Sequence, residues 1–207
     1  MSDQPQPPPA LAEGGAAPAA VASVPVWNWA VRLSHWALAG SVLACLWLYE
    51  GGPWHERLGT IALVLALWRG GVALGLGGRA GTPHLRFGGP GGFVRGPAAT
   101  WAYARALLAR RAPRHLGHNP LGGWMIVALL GLAVLAGGTG ALYATDRFWG
   151  DPTLYALHQI AGWSFAVLVP LHVVGVVVSS LLHRENLLVA MLTGRKRSPA
   201  AGDIGLR

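Results

Sequence analysis

Four histidines carry the chemistry this sequence offers. His35, His55, His158 and His172 each lie within or at the end of a long apolar segment. An ionisable side chain at membrane depth is costly and is usually kept for a ligand, an ion or a proton path. These four are therefore candidate cofactor ligands. His158 and His172 are 14 residues apart, which at about 100° per residue leaves them roughly 40° apart on one helix face. At 1.5 Å per residue they stand roughly 21 Å apart, nearer to opposite sides of a ~30 Å hydrocarbon core than to each other. One helix is expected to serve two separate sites.

The elements that hold them belong to a membrane protein. Of 207 residues, 53% are hydrophobic and only 12% charged, an integral membrane composition in one domain. A net charge of +8 would normally raise nucleic acid as a partner. Here the arginines fall mainly in one connection between apolar segments, so membrane topology accounts for them and no nucleic-acid partner is expected. The single Cys45 lies inside the first apolar segment, so an intrachain disulfide and a thiolate metal site are both excluded. Residues 1–25, rich in Pro and Ala with no basic start, read as a disordered cytoplasmic tail and not as a signal peptide.

Four spans are expected: Val31 to Tyr49, Leu58 to Leu76 broken only by Arg69, Leu121 to Thr145, and Thr153 to Leu182. Helices are the only open-chain elements that satisfy their backbone in lipid, so the fold class is all-α, an integral membrane four-helix transmembrane bundle over residues 26–183. The 2–3 connection holds Arg79, Arg86, Arg95, Arg105, Arg110, Arg111 and Arg114, and the tail from 184 to 207 is also basic. The positive-inside rule then puts both termini in the cytoplasm. Trp27, Trp29, Trp54, Trp124 and Trp149 lie near segment ends as interfacial anchors should. Pro97 to Arg111 reads either as an amphipathic helix on the inner surface or as a solvated basic loop.

This topology sorts the histidines by depth into two pairs, His35 with His172 and His55 with His158. Facing histidines could clasp zinc, but a structural zinc site wants four protein ligands, and no Cys, Asp or Glu is placed to supply the others. Haem iron needs only two axial ligands from the protein. Two non-covalent haems b are expected, since the chain has no Cys-x-x-Cys-His attachment motif. Gly59 and Gly162 each follow a histidine by four residues and leave room for a porphyrin plane, although glycine also packs membrane helices closely. Arg32 and Arg69 suit a haem propionate at the inner boundary, or, alternatively, ordinary snorkelling to headgroups. His84, His115, His118 and His183 read as exposed or interfacial. No nucleophile, paired carboxylate or phosphate loop points to a catalytic residue for hydrolysis or group transfer. GGPGG at 88–92 lacks the Lys and Ser/Thr of a phosphate-binding loop and reads as a linker.

At these residues the sequence resembles the bacterial cytochrome b561 family, in particular the b-type cytochrome subunit of nickel-iron hydrogenases and its stand-alone relatives. The matching stretches are VWNWAVRLSHW (26–36), HERLG (55–59), LGHNPLGGWM (116–125), LHQIAG (157–162), LHVVGV (171–176) and HRENLLVAMLTGRKR (183–197). The resemblance implies a di-haem b protein of the bacterial inner membrane with His35, His55, His158 and His172 as axial ligands. It also implies electron traffic between a periplasmic partner, such as a cytochrome c or a hydrogenase-like complex, and ubiquinone or menaquinone. Two departures lie on the outer side: LHQ opens the fourth span where many relatives have an acidic residue after the histidine, and the 3–4 turn is short. The functional expectation is transmembrane electron transfer. Its rivals are a superoxide or small-reductant to quinone oxidoreductase acting alone, and a haem-free scaffold or permease subunit.

Overall fold

The computed structural model describes residues 23–76 and 92–205. Residues 1–22 of the expected tail, residues 88–91 of GGPGG, and Arg79, His84 and Arg86 lie outside the described residues. In chain order the elements are β1 (Ser23–Pro25), α1 (Trp29–Trp47), α2 (Pro53–Ala73), α3 (Pro97–Leu108), α4 (Pro120–Tyr143), α5 (Pro152–His183), α6 (Leu187–Thr193) and β2 (Arg195–Arg197). The fold is all-helical apart from the two-stranded ribbon of β1 and β2.

Local chemistry sets where the long helices begin. The side-chain oxygens of Asn28, Asn119 and Asp151 accept from the N–H groups of Val31 at 2.9 Å, Gly122 at 2.7 Å and Thr153 at 2.8 Å, each cap worth about 1 kcal/mol. Proline occupies the first turn of α2, α3, α4 and α5, where its missing N–H costs nothing. These signals lie outside the apolar runs, so α2 starts at Pro53 and not at the expected Leu58, while the other three starts move by one or two residues. α1, α4 and α5 are each long and apolar enough to cross a bilayer. α2 has the length, at 21 residues, but carries Glu56, Arg57 and Arg69, so composition alone does not mark it as a span.

α5 packs along α4, α4 along α2, and α2 along α1. Val42, Ala62, Ala66, Ala133 and Phe165 form the core where the four meet. Gly137 permits the α2–α4 approach, since a Cβ there would lie 2.6 Å from that of Leu63. Between α1 and α2 the chain turns through Gly51 and Gly52, at φ 90° and 97°, a backbone region that residues with a Cβ seldom adopt.

The ends of the chain differ from expectation. Ser23–Pro25, counted in the tail, pairs antiparallel with Arg195–Arg197, Val24 opposite Lys196. The C-terminal segment is likewise no free basic tail: α6, β2 and residues 198–205 fold back to form a cap on one end of the bundle. Arg114, expected among the topology-setting arginines, is buried there. It donates to Glu185 at 2.6 and 3.0 Å, to Asp203 at 2.5 Å and to the Arg197 carbonyl at 2.7 Å. Trp27, expected as an interfacial anchor, is also buried, its ring 4.6 Å from that of His118 and under the Lys196 ammonium. His115 is half-buried against Tyr103, and Lys196 Nζ donates to its carbonyl at 3.3 Å.

Charge in this cap makes its stability pH-dependent. Burial, followed by the charges of Arg95, His183 and Lys196, pushes the His115 imidazole down to about 4. The unfolded chain takes up that proton near pH 6.5, so native stability falls as pH drops from about 6.5 towards 4. Glu185 acts in the same direction at lower pH. Burial pushes its carboxyl up, but the Arg114 hydrogen bond, the Arg197 N–H and nearby cations outweigh this and hold it low. Thermal unfolding of the purified protein should therefore show Tm falling from about pH 7 to about pH 4.5, with His115→Gln flattening the upper part of that fall. Arg114→Met should cost about 1–3 kcal/mol by leaving two half-buried carboxylates without their cation. An unchanged Tm in Arg114→Met would show that the cap does not rest on this cluster.

Candidate functional site

The fold brings the four histidines together as two pairs. His55, in the first turn of α2, faces His158, in the second turn of α5, with ring centroids 5.7 Å apart and planes at 63°. His35 of α1 faces His172 of α5 at 6.5 Å and 56°. All four side chains are half-buried. α5 does not pack along α1 or α2 in the way it packs along α4, so the imidazoles reach towards each other across a seam in the bundle.

Both histidines of the first pair are oriented from behind by backbone oxygen. His55 Nδ1 lies 2.9 Å from the Leu48 carbonyl at the end of α1, which also accepts from the Gly51 N–H of the glycine turn at 3.0 Å. His158 Nδ1 lies 2.9 Å from the Ala136 carbonyl of α4, with Thr139 Oγ1 at 3.5 Å. With the proton on Nδ1 and given to a carbonyl, each ring turns a basic Nε2 outward, the arrangement typical of a metal-bound histidine. Gly140 makes the second contact possible, because a Cβ there would stand 3.1 Å from His158 Cε1. Sequence reasoning missed Ala136, Thr139 and Gly140. Their only signal is the small-residue run AGGTG at 136–140, which also reads as ordinary helix packing.

The second pair has a charged neighbour. Arg69, on α2, donates through Nη1 to the Val31 carbonyl at 3.0 Å and to Ser34 Oγ at 2.9 Å, beside His35 on α1. Arg32 lies elsewhere. Its guanidinium donates to the Leu192 carbonyl and packs against Gly194, tying α1 to the end of α6, where a cation also meets the negative pole of the helix. The partner the structure gives Arg32 is thus the α6 terminus. A Cβ on Gly59 or Gly162 would meet nothing within 4 Å. Neither glycine is needed for helix–helix contact, and both leave open space beside their histidines.

Haem b fits these pairs on geometry. Two imidazoles on opposite sides of one iron, each with a metal–nitrogen bond of about 2 Å, have ring centres roughly 6 Å apart, close to both separations seen. Among the described residues no three His, Cys, Asp or Glu side chains gather as a metal cluster, so each pair offers two protein ligands. Phe165, buried in the bundle core, is seven residues from His158 and seven from His172, and so fills the space between the two levels.

No curated protein and no solved structure matches the chain. The family profile described as prokaryotic cytochrome b561 matches residues 26–194, a stretch that includes all four histidines and every long helix. The chain belongs to the prokaryotic cytochrome b561 family, membrane proteins that bind haem b and transfer electrons across the bilayer.

Proposed function

We propose that this protein carries electrons one at a time between two bis-histidine haems b held at two depths of a four-span bundle. His55 and His158 hold the haem nearer the outer face, and His35 and His172 hold the one nearer the cytoplasm. The reading rests above all on two imidazole pairs that share α5 and stand 14 residues apart along it. When bound, the haems supply the one-electron chemistry. The protein would contribute the imidazole nitrogens that hold the haems, a spacing, and an apolar surrounding that keeps water and side reactions out.

The roles of individual residues follow from their contacts. The Leu48 and Ala136 carbonyls hold the His55 and His158 rings in one tautomer and one orientation. Gly59 and Gly162 leave clearance for a flat macrocycle. Arg69, half-buried at the inner level beside His35, offers its remaining N–H groups to a propionate. Both termini lie in the cytoplasm of a bacterium, with the protein in the inner membrane. The partners are a periplasmic redox protein on one side and the quinone pool, as ubiquinone or menaquinone, on the other.

Single histidine-to-alanine variants test the pairing. His35→Ala and His172→Ala should each remove the same low-spin haem component, and His55→Ala and His158→Ala the other. If His35→Ala and His158→Ala deplete one shared component, the assignment is wrong. Gly140→Val should push the His158 ring and alter the spectrum and potential of the outer haem alone. A wild-type spectrum in that variant would remove Gly140 from the site.

Arg69→Gln removes positive charge next to the inner iron and so favours its oxidised form, which lowers that haem's reduction potential. The outer haem, more than half a bilayer away, should hardly move. A potentiometric titration with both potentials shifted equally, or with neither shifted, would leave Arg69 as a packing contact to α1.

A further inference from the structure

α3 presents a face that nothing else in the described chain covers. Its inner side carries Tyr103, 5% exposed, with Ala106 and Leu107 half-buried, and packs against α4. Trp101, Arg105 and Leu108 occupy positions i, i+4 and i+7, a stripe within roughly 60° of arc on the other side. Trp101 is 66% exposed and Leu108 86%. A loop helix bathed in water would set polar residues there.

The level of α3 is fixed by the segment before it. The indole N–H of Trp124, in the first turn of α4, donates to the Arg95 carbonyl at 3.1 Å, and Gly123 has no Cβ where the Phe93 carbonyl comes close. α4 is long and apolar enough to cross a membrane, and a tryptophan at the end of such a helix belongs at headgroup depth. α3 begins two residues after Arg95 and therefore starts at that depth.

Charge names the occupant. From residue 92 to residue 118 the chain has five arginines and no Asp or Glu. Arg114 is taken by Glu185 and Asp203, whereas Arg105, Arg110 and Arg111 have no carboxylate partner among the described residues. Basic side chains at a membrane surface attract anionic lipid headgroups. We propose that α3 lies in the plane of the membrane surface, with Trp101 and Leu108 at the boundary between headgroups and acyl chains. Arg105, Arg110 and Arg111 hold the phosphates of anionic phospholipid, and Arg105 snorkels from between the two apolar side chains. This surface is independent of the haem sites and of which leaflet faces the cytoplasm.

Spin labels in the full haem-loaded chain test it, with Cys45→Ser removing the native thiol and the visible spectrum confirming each variant's fold. In phosphatidylglycerol nanodiscs holding one chain, a label at Leu108→Cys should be several-fold more accessible to oxygen, relative to a water-soluble nickel chelate, than one at the cap residue Ala200→Cys. Replacing phosphatidylglycerol by phosphatidylcholine should raise the mobility of the Leu108 label. Arg105→Gln, Arg110→Gln and Arg111→Gln combined should abolish that lipid dependence, and added inorganic phosphate should not restore it. Equal accessibility at the two positions would place α3 in water and overturn the proposal. So would an immobile label that ignores lipid headgroup or that changes when two chains share a disc, since α3 would then be covered by protein.

Discussion

The bundle is organised around a seam between α5 and the layer of α1 and α2, which the four imidazoles bridge. A polar ring held in an apolar interior needs a partner for each nitrogen. His55 and His158 meet half of that need with carbonyls from elements outside their own pair, Leu48 at the end of α1 and Ala136 in the middle of α4. α4 therefore has two tasks. It packs along both α2 and α5, and with Gly140 and Ala136 it sets the angle of an imidazole on its neighbour. The core residues Phe165 and Val42 pack together in the bundle interior, and Phe165 lies midway along α5 between His158 and His172.

The pairing was legible in the sequence because it depends on two robust quantities, the alternation of long apolar segments and the rise of a helix. A 14-residue interval on α5 with one histidine at each end of the α1–α2 hairpin leaves a single depth-matched arrangement, and the rings do meet that way. Helix boundaries moved by a few residues because Asn28, Asn119, Asp151 and four prolines act outside the apolar runs. The identity of α3 as a helix, left open against a basic loop, is decided by its contacts with α4.

What could not be read was contact between distant, unremarkable residues. Ser23 and Arg197 pair across most of the chain, and no local pattern announces a ribbon of three residues a side. Arg114 looks like its neighbours in a count of positive charges, yet it is buried between Glu185 and Asp203 while Arg110 and Arg111 stay exposed. Trp27 was misplaced, and the Arg32 contact with the α6 terminus was not foreseen, for the same reason: the cap and the helix end that receive them exist only after folding. Gly140 was hidden among glycines that serve helix packing, as Gly137 does against Leu63.

Each imidazole pair is proposed to be one haem site. The most direct test is a pyridine haemochrome assay on the purified chain, combined with a redox titration of the same sample. Two non-covalent haems b per chain are expected, titrating as two low-spin components. One haem per chain, or none, would contradict this.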